Sequence, residues 1–289
     1  MDFQSSKVDE IILNSQKYFV KRDDILDKDF SGNKARKFHY FLNKDLKDYK
    51  KIVSHGSNQS NAMYSLSVLA KLKSLDFDYY VSHIPKYLEE NPSGNYKKAI
   101  ENGMNIIVGN LPKTFEKDEL FISEGGAVKE AKYGLEVLAN EIKTWVKEKN
   151  IDSERLKIFL PSGTGTTALY LQYYLPFEVL TCSCVGDDEY LKKQFMALES
   201  GKFPKILRKG KKYHFGKLYE EFYLKHLELL KKTNIEFDLL YDSLGWIVFE
   251  NYVKEIKDKE EYTFLYIHQG GLLGNETMLE RYRRKFTNI

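Results

Sequence analysis

Lys34 is the residue of this chain with the most distinctive chemistry. It lies in Ser31-Gly32-Asn33-Lys34-Ala35-Arg36-Lys37, shortly after Lys21-Arg22-Asp23-Asp24. There a small, turn-forming pair, Ser31 and Gly32, gives way to the helical spacing of Phe38, Tyr40, Phe41 and Leu42. A lysine in the first turn of a helix meets the positive end of the helix dipole. The dipole and partial burial together lower the amine pKa, and a neutral amine is what a Schiff-base lysine needs. Most lysines are solvated surface groups, so Lys34 acquires meaning only beside three further loops.

Each of the first two loops joins a strand to a helix. Gly56-Ser57-Asn58-Gln59-Ser60-Asn61 follows the strand at Val53. Ser60 and Asn61 are good N-cap residues, and the exposed N–H groups there favour an anion. A row of small polar residues of this length is more than capping requires. Ser162-Gly163-Thr164-Gly165-Thr166-Thr167 lies between Ile158-Phe159-Leu160 and a helix from Ala168. Its glycines let the backbone close on an oxyanion, and its threonines add hydroxyls. The lysine of a P-loop is absent. Gly163-x-Gly165-x-x-Ala168 is also a weak dinucleotide fingerprint, with Asp187 after the next strand. It is not, however, the first strand-turn-helix of the chain, where dinucleotide folds carry that loop. The last loop, His268-Gln269-Gly270-Gly271, ends the strand Phe264 to Ile267. Paired glycines imply close backbone approach, while His268 reads most simply as a hydrogen-bonded structural residue.

The elements that must position these loops alternate. Residues 51–54, 77–84, 105–108, 120–123, 157–160, 178–185, 237–241 and 262–268 read as strands. Residues 61–73, 96–102 and the amphipathic stretch through Leu135, Leu138, Ala139, Ile142 and Trp145 read as helices. Alternation of this kind implies open, mostly parallel α/β sheets, which bind ligands at the carboxyl ends of their strands. Residues 85–95 hold Pro85 and Pro92 and read as a mobile loop. A chain of 289 residues suits one large or two ordinary domains, and two are expected here.

The 45 basic and 42 acidic residues nearly balance, with a net charge of +3, so neither nucleic acid nor an anionic membrane is an expected partner. No apolar run is long enough to span a bilayer, and the start, Met1-Asp2-Phe3-Gln4, lacks the pattern of a signal peptide. Cys182 and Cys184 sit two apart on a strand, a poor geometry for pairing with each other. They read as buried free thiols in a reducing cytoplasm, and no metal site is expected.

In this order the loops resemble those of the fold-type-II enzymes that use pyridoxal 5′-phosphate (PLP). The resemblance is to the branch of 1-aminocyclopropane-1-carboxylate (ACC) deaminase and D-cysteine desulfhydrase, and it runs from about Lys21 to Leu273. It implies a tryptophan-synthase-β-like fold of two open, mostly parallel sheets flanked by helices. Residues 1–45 and 125–289 would form a large PLP-binding domain and residues 46–124 a small one. Gly-Asn-Lys-x-Arg-Lys makes Lys34 the cofactor lysine. Gln59-Ser60-Asn61 matches the loop that meets the substrate carboxylate and cofactor. Gly163, Thr164, Gly165, Thr166 and Thr167 match the phosphate cup, Ile267-His268-x-Gly270-Gly271 matches the end motif, and Glu124-Gly125-Gly126 the domain junction. The resemblance further implies a small amino acid as substrate, release of ammonia and a 2-oxo acid, and a homodimer.

The sequence departs from this family at three places. The catalytic Tyr-Glu of the deaminases, Tyr-Thr in the desulfhydrases, is Tyr241-Asp242 here. The resemblance makes Tyr241 a catalytic residue beside Lys34 and Ser60, and lets Asp242 pair with the pyridine nitrogen; as a plain helix residue Asp242 would merely be an N-cap. A second active-site tyrosine is expected within Tyr213-His214-Phe215-Gly216, where Phe215 holds its place against the substrate and Tyr213 is the nearest hydroxyl. Gln269 stands on the cofactor side where the end motif usually has Thr or Leu. Two other classes compete. A nicotinamide-dependent oxidoreductase would use Gly163 to Ala168 but leaves Lys34 and residues 59–61 without a role. A non-catalytic binding protein is favoured by Phe215 and opposed by the retained Lys34.

Overall fold

The computed structural model describes residues 5–286 apart from Lys28 and Ser31; the turn residue Ser31 therefore lies outside the described residues. The chain opens with a hairpin of β1 (Val8–Leu13) and β2 (Gln16–Arg22), paired antiparallel. Asn14 and Ser15 both take positive φ, 52° and 63°, as a two-residue turn matched to strand twist requires. The smaller sheet follows, built from β3 (Lys51–His55), β4 (Asp76–Val81), β5 (Met104–Val108) and β6 (Glu119–Ile122) in the order β5-β4-β3-β6, all parallel. The larger sheet resumes with β7 (Leu156–Ser162), β8 (Glu178–Ser183), β9 (Lys205–Ile206) and β10 (Thr263–His268). Its order is β1-β2-β10-β7-β8-β9, parallel except at the hairpin. Buried on both faces, β7 and β10 are nearly continuous apolar runs, as central parallel strands should be.

Helices cover both sheets. They are α1 (Asn33–Asn43), α2 (Asn61–Lys73), α3 (Lys86–Glu90), α4 (Gly94–Glu101), α5 (Ala131–Glu148), α6 (Thr166–Tyr174), α7 (Asp188–Leu198), α8 (Glu220–Thr233), α9 (Asp242–Glu255) and α10 (Gly274–Lys285). None is long and apolar enough, among the described residues, to cross a membrane. The expected alternation of strand and helix is present, with two corrections. Residues 85–95 are not a loop: α3 and the start of α4 occupy them, with Pro85 preceding α3 as an N-cap. Residues 237–241 are not a strand. Asp238 folds back there, its Oδ1 accepting N–H bonds from Leu240 and Tyr241 at 2.9 and 2.5 Å, and such a side-chain turn replaces a ladder.

The position of α1 is fixed from two sides. A Cβ on Gly134 of α5 would lie 2.0 Å from the Arg36 carbonyl oxygen, so the two helices cross at backbone contact that only glycine allows. Beneath them the buried Arg36 guanidinium bonds Asp23 at 2.9 Å and Glu141 at 2.6 Å, while Lys21 bonds Glu141 at 2.6 Å. Cys182 and Cys184 are both buried and free, with their sulfurs 4.0 Å apart.

Candidate active site

A cavity of about 850 Å³ opens where the carboxyl ends of β3, β7 and β10 face one another. Lys34, Gln59, Ser60, Asn61, Gly163 to Thr167, Phe215, Tyr241, Asp242 and Gln269 all line it. The sequence-derived site residues, scattered over more than two hundred positions, are thus gathered around one cavity.

Lys34 enters from the first turn of α1. Its Nζ donates to Asn33 Oδ1 at 2.9 Å. Burial pulls its pKa down to about 8, against the opposing pull of the Asp238 carboxylate, so near neutral pH a useful fraction is the free amine. Gly32, with φ of 32°, lets the chain enter α1 against the end of β10: a Cβ there would sit 2.1 Å from the Gln269 carbonyl. Asn33 N–H donates to that same oxygen at 2.9 Å.

Ser60 caps α2, its Oγ accepting N–H bonds from Ala62 and Met63 at 3.1 and 3.4 Å. Both acceptor positions are therefore occupied, and the Ser60 proton is the group it can donate, with the Tyr79 hydroxyl within its reach. Asn61 Oδ1 accepts from Asn95 Nδ2 at 2.6 Å, which leaves the Asn61 amide nitrogen as a donor. Gln59 holds Asn95 through its backbone oxygen at 3.1 Å.

The 163–167 loop caps α6 through Gly165, whose φ is 74°, and no side chain caps that helix. The first N–H groups of a helix have no partner within it. Gly163 to Thr167 line the cavity together with Lys34 and Lys37, which makes the start of α6 a ready place for a phosphate-like anion. A Cβ on Gly163 would point at the Tyr241 ring, 3.3 Å away, whereas one on Gly165 would strike Phe195 and Leu191. Of the two glycines, Gly163 therefore faces the cavity and Gly165 faces the core.

Asp242 is the first residue of α9 and does not cap it by its side chain. Its Oδ1 accepts from Tyr266 Oη at 2.7 Å and its Oδ2 from Asp238 N at 3.1 Å. Burial, then the neighbouring Asp238 charge, raises its pKa well above the usual carboxylate range. Burial and the Asp238 charge thus favour its neutral form, and a cation set beside it would favour the carboxylate. Burial likewise raises Tyr241, which stays a phenol; its ring centroid is 5.3 Å from that of Phe215. Tyr213 does not replace the hydroxyl missing at Phe215. It turns away from the large cavity, donates to Glu221 at 3.1 Å and packs on Tyr219 and Phe222. His268 is structural: Nε2 meets the Glu236 carbonyl at 2.8 Å and Nδ1 accepts Gly270 N–H at 3.2 Å, which fixes one neutral tautomer.

Lys37 and Asp238 also line the cavity and stand outside the sequence-derived set. Lys37 lies one turn beyond Lys34, bonds the Gly125 carbonyl at 2.9 Å and is pushed well down in pKa by burial and by Lys34. The i, i+3 spacing was its signal. Asp238, buried and raised to about 7, had none, because the strand pattern hid the turn it forms. Among the described residues no group of His, Cys, Asp or Glu is suited to holding a metal ion.

No protein-family model and no curated protein matches the sequence. Solved structures do match its fold. An ACC deaminase homologue superposes over 96% of this chain and 93% of its own at a TM-score of 0.74, with 18% identity. The fold is fold type II. An O-acetylserine-dependent cystathionine β-synthase from Helicobacter pylori covers 93% of both chains at a TM-score of 0.64 and 14% identity. A hydrogen sulfide-producing enzyme from Fusobacterium nucleatum covers 93% of this chain and 95% of its own at 0.63 and 12%. Within this fold type, the cavity lies where an α/β sheet binds ligands, beyond its strand ends.

Proposed function

We propose that this protein is a PLP-dependent lyase that, consuming one water, releases ammonia from a small amino acid and leaves a 2-oxo acid, a β-substituted substrate also losing its β-substituent, as sulfide from D-cysteine. The observation that carries the reading is the convergence of a partly neutral lysine amine, Lys34, with an uncapped helix N-terminus in one cavity. PLP fits these residues. The free N–H groups of α6, with Thr164, Thr166, Thr167 and Lys37 around them, suit its phosphate, and Lys34 suits its aldehyde. We take residues 46–124 as the small domain and 1–45 with 125–289 as the large one, with the site between them, and infer a homodimer and a cytoplasmic setting.

When bound, PLP supplies the electron sink for breaking a bond at the substrate α-carbon. The chain supplies the rest. The Lys34 amine, near neutral, takes and returns a proton at that carbon. Ser60 gives its proton, and Asn61 its amide N–H, to the substrate carboxylate. Tyr241, held as a phenol, is a proton donor. Asp242 becomes a carboxylate more readily where a cation such as a pyridinium lowers its pKa again. Gln59 supports the carboxylate site through Asn95.

Phe215 shapes the substrate preference. ACC ring opening that needs two tyrosine hydroxyls would lack one here, because Phe215 has none and Tyr213 is bound to Glu221. The expected substrates are small D- or β-substituted amino acids. The test is a parallel assay of ammonia and 2-oxo-acid release from ACC and from D-cysteine. Pyruvate from D-cysteine with little 2-oxobutyrate from ACC supports the reading; efficient 2-oxobutyrate production overturns this substrate preference.

A further inference from the structure

Three hydrogen bonds run from the end of β7 to the Lys34 amine. Gln269 Nε2 donates to the Pro161 carbonyl at 2.7 Å, Asn33 Nδ2 donates to Gln269 Oε1 at 2.8 Å, and Lys34 Nζ donates to Asn33 Oδ1 at 2.9 Å. The direction of the chain is forced from the strand end. A carbonyl only accepts, so Gln269 must turn its NH₂ to Pro161 and its oxygen to Asn33. Asn33 must then turn its own NH₂ to Gln269 and its oxygen to the lysine. A flipped Asn33 would set an NH₂ donor against the Lys34 ammonium instead. Thr or Leu, usual in the resembling family at position 269, has no amide to impose this order.

We propose that Gln269 is a positioning residue: it fixes the Asn33 amide so that the Lys34 amine always meets an acceptor. The amine is thereby held in one place and its protonated form is favoured. This deepens the reading of Lys34 as the cofactor lysine and rests on it. The charges that act on Lys34 include Asp238, from the turn before α9, and Lys37, on its own helix. Neutral substitutions at 269 remove neither.

The test is competitive acetylation of the lysines in the full-length, cofactor-free chain, followed by mass spectrometry over the pH range around Lys34's midpoint of about 8. Gln269→Met keeps the volume, breaks the relay at Gln269 and leaves the Asn33 amide only the longer 3.5 Å contact to Thr167 Oγ1. A charge-assisted hydrogen bond is strong enough that its loss should lower the Lys34 midpoint by about one pH unit, and so raise labelling at neutral pH roughly fivefold. Gln269→Glu still accepts from Asn33 Nδ2 and brings a negative charge nearer, so its midpoint should stay or rise. Opposite movements of the two variants, with Lys37 unchanged or raised in Gln269→Met as the Lys34 charge beside it is lost earlier, support the proposal. A merely structural role would move both variants the same way, and that outcome, or no shift in Gln269→Met, overturns it. If Gln269→Met fails to fold, Gln269→Glu decides: a midpoint at or above that of the parent supports the relay, and a fall overturns it. The labelling needs no cofactor, so failure of the PLP reading would show separately, as absence of a visible band when PLP is added.

Discussion

Asp238 and Lys34 face the same cavity and hold each other's charge. Burial lowers the lysine to about 8 and lifts the aspartic acid to about 7, and in each case the partner's charge opposes the shift. Asp238 also feeds Asp242: its N–H bonds the Asp242 carboxylate at 3.1 Å, and its negative charge discourages Asp242 from ionising. One buried carboxylate thus bears on both the amine and the acid proposed to act on the cofactor.

Asp238→Asn keeps an oxygen for the Leu240 and Tyr241 N–H groups but removes the charge. The Lys34 midpoint should therefore fall below about 8, measured by pH-dependent labelling. A stability effect follows with a definite sign. A carboxyl raised from 3.8 to about 7 penalises the folded state above pH 7, and the penalty fades as the pH falls towards 3.8. The variant should gain stability over the parent at alkaline pH, where Lys34 is also neutral, and gain nothing in acid. Denaturant unfolding at the two extremes reads this; an equal gain at both is the opposing result.

Gly163→Val and Gly165→Val should separate binding from folding. The first puts bulk into the cavity against Tyr241 and should weaken PLP binding at least tenfold with the fold retained, about 1.4 kcal/mol or more. The second meets Phe195 and Leu191 at positive φ and should lower thermal stability outright. Equal PLP affinity in Gly163→Val would remove this loop as the phosphate site.

Arg36→Ala leaves Asp23 and Glu141 without their shared guanidinium beneath α1. Breaking a buried ion pair from one side costs about 3–5 kcal/mol, and urea unfolding should read a loss of that order. A loss within experimental error would mean the network does not hold α1.

Phe215→Tyr restores a phenol next to Tyr241, whose ring centroid is 5.3 Å away. General acid catalysis is worth about 10²–10⁴ in rate, so a rise in ACC turnover of at least tenfold is expected in the steady-state assay. No rise would mean that the missing hydroxyl does not set the substrate preference.

Much of this was legible in the chain because each element announced itself locally. Strand, glycine and helix follow one another at 158–168, and polar residues cap α2 at 59–61, so the cavity wall could be read from spacing. Other features depend on contacts between distant segments. The β1–β2 hairpin turns through Asn14-Ser15 rather than a glycine pair, and so carries no strong turn signal. Asp238 looks like part of an apolar strand until its side chain folds back on its own backbone. The pairing of Gln269 with Asn33 joins residues 236 positions apart, which no local pattern records.

The central claim is that Lys34 carries PLP. Titrating the purified protein with PLP while recording its visible spectrum tests this most directly, with Lys34→Ala as the comparison. The parent should develop the absorption band of a lysine-bound cofactor, and Lys34→Ala, folded as the parent is, should not. A parent with no band at saturating PLP, or a Lys34→Ala variant with an unchanged band, would contradict the account.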